Sequence, residues 1–247
     1  MGRRPPGGWL ESRRHWYRFP FSLRNQLLWS RPLQAWFCPH DESAIECMLK
    51  LPCYEPVDWV TPQRGEVFID VGAYTGWYAI QAARAVGKDG RVVALEPDET
   101  NRLQLANNLK LNHFDNVTVS SRAAWSKSGV LGWYVGAQPV WHRIDSKNES
   151  ALVETTTIDE LARCADLRRV DWMKLDVEGA ELEVLKGASD VLQMFHPSLF
   201  VEVHGTFDPL EQFLSATGYE ISRQAFDHPP KEHGWILAHA SASRTDE

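Results

Sequence analysis

The sequence predicts an α/β fold, a doubly wound, mostly parallel seven-stranded sheet with helices on both faces, preceded by an N-terminal helical extension. Three observations carry this expectation. From Glu66 onward, short apolar runs of the kind buried in parallel sheets ("VFIDV", "RVVALEP", "VDWMKLDV", "SLFVEVHG") alternate with segments of helical spacing. The first run ends in an acid and a tight glycine turn, "DVGAYTG". Strands and helices in this order need right-handed crossovers, and such sheets take ligands beyond the carboxyl ends of their strands, at the topological switch point.

Residues 1–65 read as an irregular, helical extension, with Asp41 or Ser43 capping "SAIECMLKL" and Pro52, Pro56 and Pro62 punctuating the remainder. Residues 66–247 read as the sheet domain. "VFIDV" is its first strand, and "TGWYAIQAARAV" the helix that Gly87 ends. "RVVALEP" is a second strand stopped by Pro97. "DETNRLQLANNLKLN" is a helix capped by Asp98, with Leu103, Ala106, Leu109 and Lys110 at helical spacing. "NVTVSSRAAW" is a third strand. Residues 129–153 form a β excursion with a polar tip, returning into a short helix near Ile158–Ala165. "VDWMKLDV" is the fourth central strand, "GAELEVLKGASDVLQMF" its helix and "SLFVEVHG" the fifth strand. "PLEQFLSATG" is a last helix before the strands "YEISRQ" and "GWILAHA".

Bulk properties narrow the function. The 247 residues are 43% hydrophobic and 24% charged, ordinary for a globular chain, and no apolar run approaches the length of a membrane span. The arginine pairs near the start have no apolar segment after them, so a cytoplasmic location is expected. Cys38, Cys47, Cys53 and Cys164 show no CxxC pairing and read as buried or partly buried free thiols, with irregular spacing for a metal site beside His40. Residues 1–31 hold seven arginines against Glu11, a net +6, so the rest of the chain carries −13 of the total −7. That segment either packs its aromatics on the body and exposes its arginines, which is the expectation, or contacts nucleic acid, an anionic surface or an acidic substrate. A pI near 5.7 argues against a broad nucleic-acid face. Eleven tryptophans leave room for contact between copies of the chain.

The glycine turn then selects a ligand. A dinucleotide site needs G-x-G-x-x-G, with bare backbone against the pyrophosphate. Counted from Gly72, those places hold Tyr74 and Trp77, and the spacing is Gly72-x-x-x-Gly76 behind Asp70. The predicted strand ends collect Asp70, Glu96, Asp176 and Glu202, an acid-lined rim that suits a cationic or zwitterionic ligand. S-adenosyl-L-methionine is such a ligand, with a sulfonium, an ammonium and a ribose diol that needs an acceptor. Glu96, 24 residues beyond Gly72, stands where that acceptor belongs.

The chain here resembles the FkbM-type methyltransferases of the class I S-adenosylmethionine-dependent superfamily. The resemblance runs from Tyr54 to His204, over "YEP", "FIDVGAYTGWYA", "VVALEPDETN", "AAWSKSG", "TTTIDEL", "VDWMKLDVEGAELEVLKGA" and "VEVHG". The family usually has Asn where Tyr74 stands. The resemblance implies a Rossmann-like fold, S-adenosyl-L-methionine as cofactor with S-adenosyl-L-homocysteine as product, and O-methylation of small molecules such as sugars and polyketides. It implies that Asp70, Gly72, Tyr74 and Gly76 form the turn around the cofactor, and that Glu96 binds the ribose. Arg122 and Ala123 would lie by the adenine, and Asp176 would face the cofactor ammonium or the reacting centre. Tyr54 and Glu55 would fold over from the N-terminal side.

Methyl transfer to a hydroxyl is an in-line displacement in which the acceptor loses a proton. The candidates past the fourth and fifth strands are Asp176, Glu178, Glu202 and His204. His204 is the natural base by its ordinary pKa. Glu202, two residues earlier, shares its side of the strand and orients the ring or joins it and Asp176 around a metal ion. Glu178 is expected to cap the next helix, and Lys174 to pair with one of these carboxylates. Trp141 and His142 are candidates for a lid over the acceptor.

Overall fold

Strand faces in this protein are set by period-two alternation, and that alternation decides where the charged residues go. The computed structural model describes residues 23–47, 55–134, 143–144, 151–227 and 232–241. The N-terminal strands are β1 (Leu28–Ser30) and β2 (Ala35–Phe37). The central sheet comprises β3 (Val67–Val71), β4 (Arg91–Leu95), β5 (Val117–Ser120), β10 (Trp172–Leu175), β11 (Ser198–His204), β12 (Tyr219–Phe226) and β13 (His233–Ala240). Its spatial order is β12-β13-β11-β10-β3-β4-β5. β11, β10, β3, β4 and β5 pair in parallel, while β13 runs antiparallel between β11 and β12. The chain winds outward from β3 to β5, then returns to β10 on the other side of β3. The switch point therefore lies between β3 and β10.

Two apolar layers flank the sheet. Val67, Ile69, Val71, Val93, Leu95, Met173, Leu175, Leu199, Val201 and Val203 face one layer. It is closed by the helices α3 (Ile158–Cys164), α4 (Glu181–Lys186), α5 (Ser189–Phe195) and α6 (Phe207–Ala216). Phe68, Val92, Ala94, Trp172 and Phe200 face the other layer, beneath α1 (Trp77–Val86) and α2 (Glu99–Leu111). Asp70, Lys174 and Glu202 share the parity of that second set, so the polar strand ends lie on the α1 side.

The sheet core, the starts of α2 and α3 and the last two strands agree with expectation. Asp98 caps α2, its side chain accepting from the Asn101 amide at 2.9 Å, and Thr157 caps α3. Asp41 accepts from the Ala44 amide at 2.7 Å to start a helical turn over 42–47.

Four local expectations are corrected. First, the N-terminal part contains the β1–β2 hairpin. Its Leu33, Ala35 and Phe37 enter the α1–α2 layer, and Trp29 and Trp36 stack edge to face at 5.1 Å on its open side. Second, α2 does not bury Leu103, Ala106 and Lys110, which are exposed. It buries Asn101, Leu105, Asn108 and Leu109. Its polar row holds β2 and the residue after it: Asn112 exchanges hydrogen bonds with the Trp36 backbone, Asn108 accepts from the Cys38 amide at 3.1 Å, and Gln104 donates to the Cys38 carbonyl. Third, "NVTVSSRAAW" breaks after Ser120. Ala123–Ala124 is a separate strand, β6, in a small sheet of order β6-β9-β7-β8, with β7 (Gly129–Tyr134), β8 (Arg143–Ile144) and β9 (Ala151–Thr156). Fourth, the helix after β10 is two helices, parted where Gly187 passes the Trp125 carbonyl so closely that a Cβ would sit 2.2 Å from it.

Gly72 is the tightest point of the fold. At φ +77° its missing Cβ would lie 1.9 Å from the Asp176 carbonyl oxygen, so only glycine lets the β3 turn close against the end of β10. Gly65, at φ +83°, has open space around it. Gly65→Ala is expected to cost roughly 1–2 kcal/mol, the left-handed penalty alone. Gly72→Ala is expected to cost about 1–3 kcal/mol more, because the backbone must also shift. Urea unfolding midpoints of the two variants check the difference.

Candidate active site

The carboxyl ends of β3, β4, β10 and β11 bring most of the sequence-predicted residues into one cleft. The glycine turn comes first. Gly72 and Ala73 donate their amides to the Leu95 carbonyl at 3.1 and 3.0 Å, folding the turn onto the end of β4. Tyr74 takes a left-handed conformation at φ 48°, and Gly76 caps α1 at φ 98°. Asparagine tolerates the left-handed region better than most residues, so the asparagine that the resemblance leads one to expect would fit this conformation. Here the tyrosine hydroxyl instead reaches Asp41 Oδ1 at 3.2 Å and ties the turn to the N-terminal segment.

Glu96 lies immediately beyond β4 and is 6% exposed. Its Oε2 accepts from the Tyr74 amide at 2.8 Å and its Oε1 from the Asp98 amide at 3.0 Å. Two backbone donors, joined by the Asn101 side chain, thus orient the carboxylate and leave it acceptor capacity beyond those bonds. Burial pushes its pKa up to about 7, against the pull of those amides.

Between β3 and β10 the cleft is organised by Lys174. Its buried ammonium donates to the Gly72 carbonyl at 2.8 Å, with Asp70 Oδ1 at 3.4 Å and Asp176 Oδ2 at 3.5 Å. Burial works against this charge, and Asp70 and Asp176 overcome it, so Lys174 holds its proton more firmly than a free lysine. Asp70 is fully buried, and burial raises its pKa despite Lys174.

At the carboxyl end of β11, Glu202 and His204 point to the same side, as alternation requires, with Glu202 Oε1 3.7 Å from His204 Nε2. Three residues to which sequence patterns alone assign no role complete this end. Glu181, 0% exposed, accepts from His204 Nδ1 at 2.9 Å, from Thr206 Oγ1 at 2.8 Å and from the Gly179 amide at 3.0 Å. His233, on β13, places Nε2 2.8 Å from Glu202 Oε1 and Nδ1 2.8 Å from Asp227. Tyr78 of α1 donates to Glu55 at 2.7 Å. Glu181 stands within the "KLDVEGAE" stretch and was within reach of the sequence. His233 was not, since only antiparallel pairing of β11 with β13 brings it opposite His204.

Other expected residues lie elsewhere. Glu178 does not cap α4, whose N-cap is Ala180. It sits in the loop at φ 53°, 3.8 Å from His204 Nε2, with its pKa pushed up to about 7 by burial. Glu55 does fold in from the N-terminal side. It joins the Glu202–Asp176 end of the cleft, where burial and then repulsion from Glu202 push its carboxyl up to about 8. The Arg122 guanidinium is turned toward Glu154 and Glu160, at 3.6 and 3.9 Å, and Ala123 is buried in the small sheet. Tyr54, Trp141 and His142 lie outside the described residues. Cys38 and Cys47 are partly buried, while Cys164 is exposed, and none of the three is in a disulfide.

The donor set fits S-adenosyl-L-methionine. Glu96, Asp176 and Glu202 offer acceptors to a cation and a diol, with Asp70 buried behind them against Lys174, and the side chains at 74 and 77 stand where a pyrophosphate would need bare backbone. For a metal ion, two groups of ligand atoms among the described residues each lie within 4.8 Å of one another: Glu202, His204 and His233, and Asp176, Glu178 and His204.

A model of the methyltransferase FkbM domain matches residues 70–221, the span that holds the turn, Glu96, the Lys174 cluster and the β11 residues. The chain belongs to the FkbM methyltransferase family. The crystal structure of methyltransferase FkbM from Methylobacillus flagellatus superposes with a TM-score of 0.55 at 21% identity, covering 75% of this chain and 46% of that one. Two curated relatives align over short stretches. The hexuronic acid methyltransferase AglP of Haloferax volcanii is 37% identical over 68 residues, 28% of each chain. The methyltransferase sdnD of Sordaria araneosa is 35% identical over 81 residues, 29% of each. This FkbM-family chain thus aligns with under a third of the length of either. No helix among its described residues is long and apolar enough to cross a membrane.

The family cleft here carries its own electrostatic signature. Burial tends to lower the His204 pKa, but the Glu181 hydrogen bond and then Asp176, Glu202 and Glu178 outweigh it and raise it to about 10. The ring is therefore a cation near neutrality, a donor rather than the base its ordinary pKa suggested. A pKa raised on folding contributes stability that is full below its unfolded value, near 6.5, and is lost as pH rises toward 10. The raised carboxyls of Glu55 and Glu178 act in the same direction, theirs being lost between about 4.5 and about 7–8. Stability is accordingly expected to fall between pH 7 and 10. Urea denaturation across that range should show a shallower fall in His204→Gln.

Proposed function

We propose that this FkbM-family enzyme transfers the methyl group of S-adenosyl-L-methionine to a hydroxyl oxygen of a small molecule, with a carbohydrate as the favoured acceptor class. The observation that carries the cofactor reading is Glu96, a buried carboxylate held by two backbone amides beside the glycine turn. Two ribose hydroxyls find acceptors there, and Asp70, with Asp176 across the turn, favours the positive end of the same ligand. When bound, the cofactor supplies an electrophilic methyl group on a sulfonium.

The chain's own residues do the rest. Asp176 and Glu202 line the acceptor end, and His204, fixed through Nδ1 by Glu181, presents Nε2 to it. A hydroxyl there accepts from His204 and gives its proton to Asp176, whose carboxylate is the more open of the two strand-end acids on β10 and β11, 32% exposed against 13% for Glu202. Glu55 and Tyr78 close this end from the α1 side and exclude water. Holding donor and acceptor in line is worth up to about 7–11 kcal/mol, and a placed base roughly 10²–10⁴-fold. The partial likeness to a hexuronic acid methyltransferase supports a sugar acceptor.

Calorimetry with S-adenosyl-L-homocysteine tests the cofactor reading. Binding is expected to strengthen as pH rises through about 7, because the ribose hydroxyls donate to ionised Glu96. Glu96→Ala should weaken binding by at least about tenfold and remove the pH dependence. Binding of NADH without S-adenosyl-L-homocysteine would overturn the reading. Transfer of labelled methyl to a panel of hexosides tests the acceptor class, with Asp176→Asn expected to lower kcat by about 10²–10⁴ at similar KM.

A further inference from the structure

The acceptor end of the cleft contains a constellation that methyl transfer between a sulfonium and a hydroxyl does not itself require. His204 and His233 are direct cross-strand partners on β11 and β13, and Glu202 lies two residues before His204 on the same side. The Nε2 atoms of both rings converge on one oxygen, Glu202 Oε1, at 3.7 and 2.8 Å. The ring centroids are 5.4 Å apart.

What sets this group apart from a chance cluster is the far side of each ring. The Nδ1 of His204 is held at 2.9 Å by Glu181, a carboxylate from the start of α4 with no exposed surface. The Nδ1 of His233 is held at 2.8 Å by Asp227, at the end of β12. Two imidazoles, each oriented by a carboxylate from a different element and each turning Nε2 to a shared third carboxylate, make the arrangement that surrounds protein-bound metals. Ligand atoms bonded to one ion at about 2.0–2.2 Å lie about 3 Å or slightly more from one another, and the observed 2.8 and 3.7 Å bracket that spacing.

We propose that Glu202, His204 and His233 bind a divalent transition-metal ion of the manganese-to-zinc series. The two imidazole nitrogens select this class over calcium or magnesium, which prefer oxygen ligands. The ligands sit on paired strands, so the site is built before the ion arrives. An ion there takes the place of the protons that the two rings hold in its absence. Asp176 and Glu178 bring carboxylate oxygens within 4.8 Å of the same His204, Glu178 Oε1 lying 3.8 Å from its Nε2, so the acids of the acceptor end adjoin the site. If the proposed function holds, the ion replaces the Nε2–H of His204 as the group that meets the acceptor oxygen, and it polarises the hydroxyl that loses its proton to Asp176. The site itself does not depend on that reading.

Cobalt(II) titration of the full chain, followed by visible absorption and by calorimetry, tests the proposal. One equivalent is expected to bind with a ligand-field spectrum of nitrogen and oxygen donors and no thiolate charge-transfer band. His233→Ala, at a half-exposed side chain, should abolish saturable binding. Asp227→Asn, which touches no ion, should weaken it by about 10–100-fold. Ion-free melting temperatures near the parent's establish that both variants are folded. Absence of saturable binding, equal affinity in His233→Ala, or a thiolate band from the cysteines would overturn the site. S-adenosyl-L-homocysteine titrated into the same samples separates the two claims. Its failure to bind alongside intact cobalt binding would sink the cofactor reading and leave the metal site standing.

Discussion

The cleft depends on one buried ammonium. Lys174 stands in the middle of the sheet, in register with Asp70 on the neighbouring strand, and reaches the Gly72 carbonyl and Asp176. A lysine so deeply buried is tolerable only because carboxylates and a carbonyl surround it, and removing one partner of such a pair generally costs roughly 3–5 kcal/mol. The same contact sets function. It draws the β3 turn and the end of β10 together, and the space left between them is so small that position 72 admits no side chain. Structure and ligand pocket are therefore consequences of one electrostatic knot at the switch point of the sheet.

Around that knot the protein concentrates carboxylates where water is scarce. Asp70, Glu202, Glu55, Glu178 and Glu96 all keep their protons to higher pH than free acids do, with burial the largest cause in each case. The excess negative charge is answered by Lys174 and by two imidazoles held as cations, His204 and His233, the latter raised to about 9 chiefly by its hydrogen bond to Glu202. The cleft is thus polarised along its length. The end at Glu96 offers an acceptor aligned by backbone amides, and the end at β11 offers an alternating set of acids and fixed rings.

Much of this was legible because the relevant signals are local. "VFIDVGAYTG" encodes a strand, an acid and a turn within ten residues, and Pro97 and Asp98 mark the end of a strand and the start of a helix. Period two placed Glu202 and His204 together without any structure. The misread segments are those where a partner distant in the chain overrode the local pattern. Asn108 and Asn112 look like surface residues until β2 lies across them. The helix over 179–195 looks continuous until Trp125 meets Gly187. Arg122 looks like a cleft residue until Glu154 and Glu160 claim it.

The family, the doubly wound sheet and the acids at four strand ends were readable in advance, since each follows from residue type and short-range spacing. The raised pKa of His204, the burial of Glu181 as its anchor and the meeting of His204 with His233 came only with the packed fold. Charge state and ligand convergence depend on distances between chain segments far apart in sequence, and those distances exist only once the strands have paired.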